Sequence, residues 1–288
     1  MLKGHDPLHD IEIADAIDIS LSRISVTQLS AMKHQAVVEA WRDWMVSSPH
    51  CRLLGIDDFK YASFCAGTTP VFGEFIARNH TRRIRVSRSD FILTTILAKT
   101  HIRNICYLED QELHIDDCVI LSQPYSGNGT QYPYLGQLLE QADHLGVPVM
   151  IDGAYFGLAH DTSIDLQHPC ITDFATSFTK NFSGHNLRLG IRFTRTLIDD
   201  TISAGILAWE MYDRVGARIA MDLISQFSHA WFIDKYQPLS KQICQQLNLT
   251  PTNTVTLAIG GEQYNEFRRG DYNRVCITDE LVKLSRHS

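Results

Sequence analysis

Between Cys118 and Asp152 the sequence runs "CVILS" (118–122), then "YPYLGQLLEQADHLG", then "VPVMID" (147–152). In the middle segment Leu135, Leu138, Leu139, Ala142 and Leu145 recur at three- and four-residue steps, which places them on one helical face, and Gly146 is placed to end the helix. Strand, amphipathic helix and strand in succession make a βαβ unit. Its strands lie parallel and buried under helices, because continuous apolar runs leave neither sheet face fit for water. This feature restricts the chain to the α/β class.

Further short apolar runs fit the same sheet: 83–87 ("RIRVS"), 104–108 ("NICYL"), 173–178 ("DFATSF") and 190–194 ("GIRFT"). The periodicity over 24–46 predicts one helix, and residues 202–236 read as mostly helical. Two more strands are expected at 254–260 and 274–278, separated by the charged "EQYNEFRRGDYN". The expected organisation is a large α/β domain over 51–200 and a reduced α+β small domain over 201–288 that begins with a linking helix. A helical segment, 1–50, joins the small domain. The 288 residues are 44% hydrophobic, enough for a substantial core.

The net charge of −7 gives no general attraction to nucleic acid. The local basic run Arg78 to Arg88 reads as a solvated strand edge or an interface. Seven scattered cysteines without a Cys-x-x-Cys pair suggest reduced, buried thiols and a cytoplasmic location. The thirteen histidines lack ligand spacing, so no metal is expected. The first residues lack the apolar core of a signal peptide, and no run of 18 apolar residues suggests a membrane span.

Ligands of open α/β sheets bind beyond the carboxyl ends of the strands. Three candidates fall there: Asp152 after "VPVMI", Lys180 after "DFATSF", and the Gly67-Thr68-Thr69 turn before the helical "PVFGEFIARNH". A strand–Gly–helix junction offers free N–H groups to a phosphate, although ordinary capping by a threonine explains it equally well. An anion cradle, a carboxylate and a lysine on neighbouring strand ends match the needs of pyridoxal phosphate. Arg188 suits its phosphate, since a guanidinium binds phosphate oxygens bidentately.

The segment "SFTKNFSGHNLRLG" resembles the cofactor-lysine segment of the aspartate aminotransferase branch of fold-type I pyridoxal phosphate enzymes. That pattern is Ser-Phe-x-Lys-Asn-Phe, three residues, then Asn-x-Arg-x-Gly. Ser177, Phe178, Lys180, Asn181, Phe182, Asn186, Arg188 and Gly190 match it without a gap. The resemblance implies that Lys180 is the Schiff-base lysine and that Ser177 and Arg188 bind the cofactor phosphate. In "DGAY" it makes Asp152 the pyridinium partner and Tyr155 the donor to the phenolic oxygen. "AGTT", with Gly67, Thr68 and Thr69, takes the place of the phosphate cup. Phe91 sits where the family stacks an aromatic on the ring, with a core role as the alternative. Arg274, in "YNRVCIT", matches the arginine that grips the substrate α-carboxylate, with a surface salt bridge as its alternative. Where the family has Asn-Pro-x-Gly this chain has "QPYSGNGTQ", and either Ser126 or Asn128 takes the place of the asparagine.

The resemblance covers 60–195 well, 250–280 loosely and the first fifty residues poorly, and the chain is shorter than typical members, chiefly in the N-terminal arm and small domain. It implies a homodimeric aminotransferase using an amino acid and a keto-acid co-substrate. The shortened small domain suggests an atypical substrate from specialised biosynthesis. Two alternatives share the fold: a lyase or cyclase using the same cofactor, and a non-catalytic cofactor-binding homologue.

Overall fold

A computed structural model describes residues 6–91, 95–96, 99, 105–182 and 187–286. Three helices, α1 (Ile11–Arg23), α2 (Val26–Ala31) and α3 (His34–Val46), precede strands β1 (Cys51–Leu54) and β2 (Tyr61–Cys65). Then come α4 (Thr69–Arg78), β3 (Arg83–Val86), β4 (Ile105–Tyr107), β5 (Asp117–Ser122), α5 (Leu135–Leu145) and β6 (Val149–Gly153). Next are β7 (Thr162–Asp165), β8 (Ile171–Ser177) and β9 (Gly190–Thr194), followed by α6 (Arg214–Gln226) and α7 (His229–Leu247). The chain ends in β10 (Thr250–Pro251), β11 (Leu257–Ile259), β12 (Arg268–Arg269), β13 (Tyr272–Cys276) and α8 (Thr278–Ser285).

The main sheet has seven strands in the order β2-β9-β8-β6-β5-β3-β4. β9 pairs antiparallel with both β2 and β8, whereas the other neighbours pair in parallel, so β9 alone runs against the remaining six. Every residue of β5 and β6 is buried, which is the physical reason their apolar runs carry no alternation. The α5 crossover starts and ends where the leucine spacing puts it, with Gly146 in the left-handed conformation at φ 66°. One consequence decides the rest: the carboxyl ends of β2, β3, β5, β6 and β8 and the amino end of β9 open on the same sheet edge.

Three expectations need correction. The span 24–46 is two helices, broken at Met32–Lys33 where the backbone is extended. The Arg214 guanidinium donates to the Leu29 and Met32 carbonyls at 3.3 and 2.7 Å, a tertiary cap that no local periodicity encodes. The run 202–236 is likewise interrupted: a short helix (Thr201–Ser203) and a π-turn (Ala204–Ala208) precede α6, with non-helical residues between. The basic run 78–88 is no solvated edge. β3 lies between β4 and β5, Arg85 is fully buried, and its Nη1 donates to Asp117 at 2.7 Å, as Arg83 Nε does at 2.6 Å. Those guanidinium groups hold the Asp117 carboxyl below the usual carboxylate range despite its burial.

The C-terminal strands form a four-stranded antiparallel sheet, β10-β11-β13-β12, whose members are shorter than the 254–260 run or displaced from the 274–278 run. β1 and β7 make a separate parallel pair. The seven cysteines are free thiols. Burial pushes Cys51, Cys65 and Cys118 up to about 12, which makes them inert at neutral pH. Among the described residues no helix is long and apolar enough to cross a membrane.

Candidate active site

The shared sheet edge holds a cavity lined by residues from several strand ends, the usual place for a small-molecule site in an α/β sheet. Of the residues expected to act together, Thr68, Thr69, Phe91, Ser126, Asp152, Tyr155, Ser177, Lys180, Arg188 and Arg274 all line it. Asn186, part of the sequence pattern, falls outside the described residues.

One end is built for an anion. Gly67 turns the chain out of β2 at φ +79°, and a Cβ there would come within 3.1 Å of Arg188 Nη2. A side chain would therefore fill the cradle, and the left-handed backbone favours glycine independently. Thr68 makes no side-chain capping bond to α4, so capping does not account for it. Thr69 Oγ1 accepts from Arg188 Nη2 at 3.2 Å. Ser177 Oγ donates to the Leu189 carbonyl at 3.0 Å and accepts the Thr179 N–H at 3.0 Å, which ties the end of β8 to the start of β9. Beneath the cradle, a Cβ on Gly190 would lie 2.7 Å from Gly67 Cα, backbone that cannot step aside. Gly190→Ala is expected to cost about 1–3 kcal/mol through this overpacking. A urea midpoint unchanged from the parent would show that the cradle yields.

At the other end Asp152, on β6, is only 5% exposed. Burial, then the neighbouring Asp90 carboxylate, pushes it up to about 7, against the opposing pull of the Thr68 hydroxyl, the Ala154 N–H and the Lys180 charge. A carboxylate this costly to ionise without a cation suits a protonated ring nitrogen. Between the two ends, the Lys180 ammonium sits 5.3 Å from the centroid of the Tyr155 ring, and the half-buried Phe91 supplies an aromatic wall, 6.5 Å from Phe72 by ring centroids. An anion cradle, an acid, a lysine and an aromatic wall in one cavity fit pyridoxal phosphate.

The choice between Ser126 and Asn128 resolves geometrically, with a shift of role. Asn128 turns away from the cavity: its Oδ1 accepts the Thr130 N–H at 2.8 Å and its Nδ2 donates to the Gln131 carbonyl at 3.3 Å. Ser126 lines the cavity, yet its Oγ accepts from Arg274 Nη1 at 3.0 Å and from Arg269 Nη1 at 3.2 Å. Its carbonyl takes Arg274 Nη1 at 2.6 Å. Arg274 is 2% exposed, so the surface salt-bridge alternative does not hold.

Sequence reasoning missed Arg269, Asp90 and Ser122. For Arg269 a signal existed. "RRGDYN" carries a Gly-Asp turn, and Arg269 pairs with Tyr272 across β12 and β13. Tyr272 and Arg274 are two apart, so Arg269 and Arg274 share one face. Burial and the adjacent Arg274 lower the Arg269 guanidinium to about 10, while it remains charged at neutral pH. Among the described residues Lys180, Arg188 and Arg269 form no ion pair with a carboxylate. The cavity is lined by four cations, Lys180, Arg188, Arg269 and Arg274, against the single carboxyl group of Asp152.

No family model matches the sequence, and no curated protein does. Solved structures do. The chain is similar to a histidinol-phosphate aminotransferase from Clostridium acetobutylicum (13% identity, TM-score 0.61, covering 99% of this chain and 98% of that one). It is similar also to an L-threonine-O-3-phosphate decarboxylase from Porphyromonas gingivalis (12%, 0.65, 97% and 96%). A third is a PLP-bound C-S lyase from Staphylococcus hominis (11%, 0.63, 96% and 86%). At such identities the likeness is one of architecture, and on that ground this chain has the aspartate aminotransferase-like fold of the fold-type I enzymes.

Proposed function

We propose that this protein is a pyridoxal phosphate-dependent aminotransferase acting on an amino acid or a derivative, with a keto acid as acceptor. The observation that carries the reading is the cavity on one sheet edge that joins Lys180, Asp152 and the Gly67–Arg188 cradle with cations in excess. Bound there, the cofactor supplies an aldehyde for a lysine amine and an electron sink for the bond broken at the substrate Cα. Arg188, Thr68, Thr69 and Ser177 hold its phosphate. Asp152 would keep a proton at the ring nitrogen, Tyr155 would donate to the phenolic oxygen, and Phe91 would supply an aromatic face. The Lys180 amine, once free, is the base that takes the α-proton and returns it, and Arg274 orients the substrate by its carboxylate. The reading includes a homodimer, for which the exposed Trp209 and Met211 (70% and 66%) offer apolar surface.

The test is an absorbance spectrum with pyridoxal phosphate, beside Lys180→Ala. A borohydride-reducible band that requires Lys180, converted by amino acids to the pyridoxamine form, is the expected result. Turnover without that form would favour a lyase or decarboxylase, reactions named for two of the structural neighbours. No band in either protein would leave a non-catalytic homologue.

A further inference from the structure

One buried carboxylate in the site has no part in the roles above. Asp90 follows β3, is 8% exposed, and lies behind the cavity wall rather than in it. Its Oδ2 accepts the Ser122 N–H at 2.9 Å and its Oδ1 accepts the Ser122 hydroxyl at 2.5 Å. The donating Ser122 Oγ in turn accepts the Ser126 N–H at 2.7 Å. Ser126 then presents its carbonyl and hydroxyl oxygens to Arg274 and its hydroxyl oxygen to Arg269. Each joint uses a charge or a dipole that a neighbour has already oriented. Asp90 accepts two bonds from Ser122 and a third from the Phe91 N–H at 2.7 Å, which fixes the carboxylate and with it the Ser122 rotor, and the fixed rotor leaves its lone pairs for Ser126. In water such a serine chain would be loose, but buried it has no competing partner, so loss of one joint is felt at the next.

We infer that Asp90 is a positioning residue which, through Ser122 and Ser126, holds Arg269 and Arg274 side by side and thereby sets the affinity of the site for the substrate's anionic end. Two guanidinium groups meeting at one hydroxyl repel each other, and Arg274 is nearly inaccessible to water. An anchored acceptor between them offsets that repulsion. Burial raises the Asp90 carboxyl above its usual range, against the opposing pull of the Ser122 and Phe91 donors and the Arg269 charge, so what it gives the relay is fixed acceptor oxygens. Asp90 also sits close enough to Asp152 to repel its ionised form, so a substitution acts on both ends of the site. Ser122→Ala separates the two effects: it breaks the relay and leaves the Asp90 charge in place.

The inference rests on the proposed reading of the site, and its test is arranged so that the two fail separately. Succinate, a carboxylate without an amine or a phosphate, is titrated calorimetrically into the parent protein, Asp90→Asn, Ser122→Ala and the double variant, each with and without pyridoxal phosphate. Both single variants are expected to weaken succinate about tenfold, the size of one lost hydrogen bond to a charged group. The double variant is expected to be no weaker than the worse single one, because serial joints of one relay are not additive. Losses that add, or an unchanged affinity in Ser122→Ala beside a weakened Asp90→Asn, would overturn the relay. Should Ser122→Ala not fold, Asp90→Glu decides. It keeps the charge and moves the carboxylate, so it behaves like Asp90→Asn under the inference and like the parent otherwise. A parent protein that gives no Lys180-dependent band but shows the relay pattern without cofactor would sink the proposed function alone.

Discussion

Asp152→Asn is expected to make the cofactor-free protein more stable at pH 8, by up to about 4 kcal/mol, while leaving it near the parent below pH 4. The sign follows from the direction of the shift. Burial raises the folded-state value from 3.8 to about 7, so across that window the native state holds a proton that the unfolded chain has released. The stability this proton confers is complete below the unfolded value and is lost as pH rises through the folded one. Roughly three pH units at about 1.4 kcal/mol each give the magnitude. An amide at the same position keeps an oxygen for the Ala154 N–H, bonded at 3.1 Å, and has no charge to bury. Urea unfolding of both proteins at pH 4, 6 and 8 measures the difference, in which the titration of groups not coupled to Asp152 cancels. Parallel profiles would mean that Asp152 is hydrated and ordinary. The same variant is expected to bind pyridoxal phosphate more weakly, because an amide cannot keep the ring nitrogen protonated. Gain in the empty protein with loss in the loaded one is the pattern of a group placed for a ligand rather than for the fold.

Elements that the sequence made legible share a property: their signal is local. The βαβ unit announces itself because β5 and β6 are buried on both faces and α5 on one. The residues of the cradle and of the lysine turn are contiguous or nearly so, from Gly67 to Thr69 and from Ser177 to Gly190. Where local reading stopped, a distant partner decides the structure. Arg214 caps the break in the helix expected at 24–46, from 185 residues away in sequence at Leu29. The orientation of β9 depends on strands it joins only in space, since an apolar run is the same read in either direction. Asp90 carries no local signal of a role, and only the approach of β5 shows what its carboxylate holds. Ser126 was found by register, but its partners lie 143 and 148 residues further along the chain. Side-chain roles that are set by tertiary hydrogen bonds are not encoded at the position itself.

The first fifty residues, which resembled the family least, support the segment that resembled it most. Trp41 on α3 is 1% exposed and stacks on Phe178 with ring centroids 3.4 Å apart and planes 10° from parallel. Trp44 meets Phe178 edge-on at 5.1 Å, and Phe178 and Phe182 close on each other at 4.7 Å around the turn that carries Lys180. The Leu8 N–H donates to the Lys180 carbonyl at 2.8 Å, so the chain before α1 also grips the turn. Trp41→Ala is therefore expected to destabilise the protein by about 3–5 kcal/mol, the usual cost of deleting a buried indole. It should also expose the lysine turn, so that reductive methylation of Lys180 in the native protein becomes faster. Trp41→Phe tests the cause. The buried Trp41 Nε1 has no hydrogen-bond partner among the described residues, so the smaller ring removes an unpaired donor while it keeps an aromatic face on Phe178. Its expected cost is about 1 kcal/mol, against a cavity the size of the lost ring atoms. If instead Trp41→Phe costs as much as Trp41→Ala, shape at that one stack governs the turn. If neither costs more than about 1 kcal/mol, α3 only covers the sheet, and the lysine turn is held by β8 and β9 alone.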